Sequence, residues 1–302
     1  LEILDCERRK LVATRTPKSV CNKEYFYSVN NKLDDVSQEL EKEFQRIEGD
    51  ISKFYDEIAL KFKNFEEITD SDKMLVATFM SVQYLRGPYM RKQIHNMNEH
   101  VVKRMTQLRF SSPDIHEFFD EHEKETGEKL SEKQRQDVID FAQGGEYRVE
   151  MGNGSHLQLL AEIEGFRNLL FGKEWMVYIS KSDKKFITSD NPVIELFPEW
   201  AGKSFYGPTF LERTHQFAMT PDIMIITTHP RNPPAIGKVK RKTLFNNPKH
   251  NDKILELNFP YPRFATAYVY ASRKDFLQDI IDSANLYDKQ RLKRIIRSQF
   301  DN

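Results

Sequence analysis

The 302 residues carry 46 Lys plus Arg against 46 Asp plus Glu, with 39% hydrophobic and 12% aromatic content. A chain of that length and content buries a sizeable core, and its neutrality excludes both a polyanion binder driven by net charge and a long acidic tail. No run approaches the ~18 apolar residues of a membrane span, and Leu1 to Lys10 lacks the order of a secretion signal, so a soluble, cytoplasmic protein is expected.

"LEILD" and "KLVATR", separated by "CERR", read as a hairpin within residues 1–30. From Asp35, Val36, Leu40, Phe44, Ile47, Ile51, Phe54 and Ile58 step by three or four along one face of a long helix. A second helix, near Ser71 in "KMLVATFMSVQYLR", is apolar nearly all round and belongs in the interior; Gly87 and Pro88 interrupt it. Ser112-Pro113 predicts a helix start running to about Glu125, and Ser131 with Gln134 forms a capping box for the next helix. "SHLQLLAEIEGFRNLLFG" reads as one helix ending at Gly172.

After it the texture changes to short aromatic and β-branched stretches, "WMVYIS", "KFITS", "HQFAMT", "IMIITTH" and "ATAYVYAS". Helices are expected at about 248–258 and 274–298. Helices first and strands later predict an α+β fold: a helical part over 33–172 and an irregular, mainly antiparallel sheet over 173–302, in one domain spanning 1–302.

Familiar chemistries are missing. Cys6 and Cys21 form neither a disulfide framework nor a zinc pair, and no two of the eight histidines stand three or four apart on a helix. Gly202-Lys203-Ser204 lacks the upstream glycine of a phosphate loop, and Asp183-Lys184-Lys185 resembles a nuclease element no more than a surface turn. No cofactor motif is evident; a divalent metal stays open. Basic runs over 231–253, which include Lys240, Arg241 and Lys242, and over 289–297 are the candidate contacts for nucleic acid or nucleotide.

The stretch "FITSDNPV", Phe186 to Val193, sets four polar residues between apolar pairs. Ser189 and Asp190 suit a tight turn, which is one account of them. The other has a strand delivering Asp190 to a sheet end as an acid, base or ligand anchor, with Arg86 and Gln83 at the helix interruption as partners and Asn191 orienting the ligand. A structural ion pair of Arg86 with Glu48 or Asp190 remains open beside it.

"TPKSV…KEYFY", "RIEGDIS", "FMSVQYLRGPYMR", "FITSDNPV", "FAMTPDIMIIT" and "LNFPYPRFATAYVYAS" together resemble the bacterial domain-of-unknown-function 4238 family over nearly the whole chain. The resemblance implies importance for Glu48, Gln83, Arg86, Ser189, Asp190, Asn191, Pro192, Pro221 and Asn258. Members usually open with a His-Tyr-Val-Pro-Gln segment, which does not occur in this sequence. The expected function is an enzyme acting on a phosphodiester or nucleotide, nuclease-like or a defence effector. Asp190, Arg86, Gln83 and Asn191 would be catalytic, and Ser189, Glu48, Lys240, Arg241 and Lys242 would bind substrate. The competing expectation is a non-enzymatic sensor or interaction module in which the turn is structural. Oligomeric state is not specified.

Overall fold

Thirty residues with an apolar seam build the first helix, α1 (Asp35–Asn64), which buries Phe44, Ile51, Ile58 and Phe62. Phe54, assigned to the same stripe, is instead 45% exposed. It falls on the flank of the seam, and on the inner flank Tyr55 donates its hydroxyl to the Met219 carbonyl. The computed structural model describes residues 1–8, 10–12, 35–149, 152, 154–198, 209–229 and 238–287. The "TPKSV" and "KEYFY" stretches, residues 202–204, 231–237 and the basic run 289–297 lie outside them.

Helix α2 (Asp70–Arg86) starts at a Thr69/Asp72 capping box and is buried on most sides, as its apolar composition requires. Extended Gly87 ends it, and Pro88 opens α3 (Pro88–Phe110), since proline at a first helical position loses no hydrogen bond.

The chain forms two compact units, Leu1–Met90 with Leu157–Asn302, and Arg91–His156. The second holds most of α3 with α4 (Ile115–Thr126) and α5 (Glu132–Gly144) around Ile115, Phe119 and Ile139. Ser131 and Gln134 form the expected capping box. α4 begins later than Ser112-Pro113 suggests, because the Ser112 hydroxyl bonds the Asp114 carboxylate rather than a helix amide.

In the first unit the expected single helix before Gly172 is two, α6 (Gly154–Leu160) and α7 (Ile163–Gly172). Short-range bonds from the Ala161 and Glu162 amides to the Gln158 and Leu159 carbonyls tighten and close α6.

The C-terminal half carries two sheets, not one. Strands β5 (Val193–Leu196), β6 (Thr214–Thr220), β7 (Ile223–Thr228), β3 (Glu174–Lys181) and β8 (Val239–Phe245) lie in that order, antiparallel except for the parallel β3–β8 pair. The second sheet runs β2 (Lys10–Val12), β1 (Glu2–Asp5), β9 (Tyr268–Ala271), β4 (Thr188–Ser189), so the N-terminal hairpin is completed by a strand from the other end of the chain.

Strands β3, β5, β6 and β7 of the five-stranded sheet are buried on both faces. Val177, Ile179, Val193, Phe217 and Ile225 meet α1, α2 and α7. Ile194, Met224 and Leu244 meet a core shared with α8 (Pro248–Asn258), α9 (Pro260–Phe264), α10 (Lys274–Tyr287) and the small sheet. Alternation in the strands therefore sorts residues between two cores rather than between core and water.

Candidate functional site

The polar turn stands where the two sheets meet. Its approach is fixed by backbone bonds: the Phe186 amide donates to the Pro221 carbonyl at 2.8 Å and the Ile187 amide to Asn258 Oδ1 at 3.1 Å. Asn258 Nδ2 returns a bond to the Lys185 carbonyl at 2.8 Å. Pro221 and Asn258, implied as important by resemblance, thus hold the strand that leads into the turn.

Within the turn, Ser189 Oγ accepts from the Asn191 amide at 3.1 Å and donates to the Asn191 carbonyl at 2.8 Å. The Asp190 carboxylate accepts three backbone amides from the start of β9: Thr266 at 2.8 Å, Ala267 at 2.7 Å and Tyr268 at 3.3 Å. Burial pushes the Asp190 carboxyl above its ordinary range, and the amides act against that. Asp190 and burial together push the Cys6 thiol up to about 11, burial being the larger cause, so this sulfur is no thiolate nucleophile at neutral pH.

Asn191 is buried, and its Oδ1 lies 3.7 Å from where a Cβ on Gly87 would stand; the Gln83 carbonyl is 3.3 Å from the same point. The turn and the helix interruption therefore do meet. Arg86 does not join them. Its guanidinium pairs with Glu48 at 2.5 Å and lies over the Phe44 ring, the ion pair that the sequence left open.

The basic candidates divide by alternation along β8. Lys240 and Lys242 are exposed, Lys240 lying 3.6 Å from Glu174, whereas Arg241 turns inward to the Lys61 and Glu66 carbonyls at the end of α1. Charged residues on an outer strand also discourage pairing with other chains.

A second cluster, absent from the sequence-derived candidates, starts four residues beyond the turn. Pro192 leads into β5, whose Glu195 is the cross-strand partner of His215 on β6. Their side chains share the face of Val193 and Phe217, directed at α2. Glu195 Oε1 stands 3.0 Å from Arg213 Nη1 and 3.6 Å from His215 Nε2. Burial alone would raise the Glu195 carboxyl, but His215 and Arg213 outweigh it and hold the group below the ordinary carboxylate range. Burial pushes His215 below the usual imidazole value, with Glu195 acting against it. The ring is fully buried, tilted against Phe210 at 4.3 Å, and neither nitrogen has a hydrogen-bond partner among the described residues. Thr227 Oγ1, on the strand position opposite His215, likewise has no hydrogen-bond partner among the described residues.

Two buried lysines follow in series, Lys173 bordering the cluster through the Arg213 carbonyl and Lys73 reaching Lys173. Lys73 Nζ donates to the Lys173 carbonyl at 2.9 Å, at the end of α7. Lys173 Nζ donates to the carbonyls of Phe210, Leu211 and Arg213 and so fixes the turn that carries the last of these. Burial pushes Lys73 down to about 8 and Lys173 to about 7. The signal in the sequence was a lone acid inside the apolar stretch "PVIELF", two residues from core-facing Val193. Its partner His215 lies across a strand pairing that spacing does not reveal.

Among the described residues, no group of three or more His, Cys, Asp and Glu is placed to hold a metal, and no helix is long and apolar enough to cross a membrane. Fold and site define an α+β protein whose central mixed sheet carries a buried acid–base cluster beside a backbone-clamped turn. The chain belongs to the family described as protein of unknown function (DUF4238), whose model matches residues 1–275. No curated protein and no solved structure matches it.

Proposed function

We propose that the chain is an acid–base enzyme acting on a phosphate ester, a phosphodiester or nucleotide, with His215 as proton acceptor and Glu195 orienting it. The observation that carries this reading is the fully buried imidazole, with no hydrogen bond to either nitrogen among the described residues and an ionised carboxylate 3.6 Å from Nε2. An imidazole lowered by burial is neutral at neutral pH, the form a general base needs, and Glu195 at 3.6 Å is one small side-chain movement from a hydrogen bond that would fix its tautomer. Arg213, part-exposed while Lys173 is enclosed, is the cation of the cluster that reaches the surface, and it would meet the phosphate. On a polymeric substrate, exposed Lys240 and Lys242 would extend that contact.

In this reading Ser189, Asp190 and Asn191 position rather than react. They set the entry of β5 and hence the reach of Glu195, while Glu48, Gln83 and Arg86 support the adjoining helix end. His215→Asn, assayed against a panel of nucleotides and phosphodiesters, is expected to lower turnover at least ~100-fold while the fold, read by circular dichroism, is retained at the assay temperature. Equal turnover in the two proteins would rule the reading out.

A further inference from the structure

Strand β8 closes one side of the five-stranded sheet, and its outer edge pairs with no other described strand. The Trp175 amide donates to the Lys238 carbonyl at 3.0 Å, and in the parallel register Trp175 stands beside Val239. The even-numbered residues of β8 therefore bond to β3, and the amides and carbonyls of Val239, Arg241 and Thr243 point away from it. None of these groups has a partner among the described residues. The row ends where the Phe245 amide, facing the same way, donates to His250 Nδ1 at 2.9 Å. Such an edge is a template for one more strand.

Side chains decide what that strand carries. Lys238, Lys240 and Lys242 stand at every second position, so they share one face, and all three are exposed. Glu174 lies 3.6 Å from Lys240, while Lys238 and Lys242 make no ion pair among the described residues. On the other face the Arg241 guanidinium, held by the Lys61 and Glu66 carbonyls, lies 5.2 Å from the centre of the Phe65 ring. Phe65 has a φ of 60° at the end of α1, where the Glu66 amide bonds back to the Lys61 carbonyl; glycine fills such a left-handed cap without strain. A phenylalanine held there and left 49% exposed offers an apolar contact beside the edge.

A second copy of β8 does not suit this edge. Across a two-fold axis its lysines would stand opposite these, and like charges facing one another destabilise a strand pair. Phosphates of a nucleic acid could accept from the lysines and the three amides, but they bring no donors for the three outward carbonyls, whereas a peptide backbone supplies both. We propose that the β8 edge takes an extended acidic peptide of a partner protein as an added antiparallel strand. Its carboxylates lie at alternate positions against Lys238, Lys240 and Lys242, and apolar side chains between them face Phe65. The residues opposite Val239, Arg241 and Thr243 exchange both backbone bonds, and the acidic residues turn their own amides to solvent. This inference is independent of the His215 reading.

The test is fluorescence anisotropy of a labelled, end-capped hexapeptide of alternating glutamate and valine, titrated with the full chain. Lys240→Glu combined with Lys242→Glu is expected to lower its affinity at least ~10-fold, with an unchanged melting curve because both side chains are exposed. Phe65→Gly should also weaken binding. N-methylation of the peptide's valine amides, which face β8, should abolish binding, while N-methylation of its glutamate amides should be tolerated. That comparison leaves the protein untouched and stays decisive if a variant folds poorly. No binding of the hexapeptide, equal loss from both methylated peptides, or an affinity indifferent to the lysine or Phe65 substitutions overturns the proposal. Tighter binding of a uridine hexanucleotide than of the peptide also overturns it, and returns Lys240 and Lys242 to a polymeric substrate.

Discussion

Asp190→Asn replaces an acceptor of three backbone amides with a group whose NH₂ must face at least one of those donors. A buried donor left without a partner costs about 1–3 kcal/mol, so the variant should melt several degrees lower, and thermal unfolding monitored by circular dichroism reads this directly. A melting temperature within a degree of the parent would mean that the clamp contributes little. Acidity acts on the neighbouring cluster in two steps. The folded-state pKa of His215 is lowered from the ordinary 6.5, so the unfolded chain takes up the proton first and stability falls as pH drops below 6.5. Glu195 is lowered from the ordinary 4.5, so its contribution is present above 4.5 and is lost as pH falls further, through the folded-state value. His215→Asn should flatten the first part of the melting-temperature profile and Glu195→Gln the second; parallel profiles for all three proteins would show that neither group is linked to folding.

At the scale of elements, legibility followed periodicity. α1, α2 and α5 could be placed because an apolar seam, an all-apolar helix or a capping box is a local signal. β8 was hidden, since "VKRKTLF" alternates only weakly and its parallel partner β3 starts more than sixty residues earlier. β5 was hidden because "VIEL" follows the polar turn with no alternation of core and solvent positions, and with it went Glu195, the residue on which the candidate cluster turns. What could not be read was which side chains non-local pairing would bring together. Lys173 shows the same limit. Its ammonium binds three carbonyls of the turn from Phe210 to Arg213, a role no spacing rule announces. Lys173→Met removes that donor and orphans three acceptors together, and the lost hydrogen bonds outweigh the relief of burying an apolar side chain. The variant should lose on the order of 2 kcal/mol, with faster amide exchange confined to residues 209–215; unchanged exchange there would assign the rigidity of the turn to its Phe210 packing instead.

For the whole molecule, the binding of one end of the chain to the other matters most. β1 contributes fully buried Ile3 and Leu4 and pairs in register with β9 from Glu2↔Ala271 to Asp5↔Tyr268, while β9 also holds β4, and its entry at 266–268 holds the Asp190 clamp. The Cys6 amide adds a bond to the Ala267 carbonyl. The segment leading into β9 is thus gripped by β1 on one side and by the polar turn on the other, and the turn in turn fixes β5 and Glu195. Pairing across some 265 positions closes late because of its loop entropy, so the small sheet should be the last element to form and the first to open. Ile3→Ala removes a buried side chain from that strand and should cost about 2–4 kcal/mol. If the small sheet and the cluster are coupled through β9 and the turn, hydrogen exchange should quicken at 188–196 and 266–271 together, with the α1–α2 core unaffected. Faster exchange limited to residues 2–12 would show that the hairpin opens without disturbing the turn, and the coupling would then be absent.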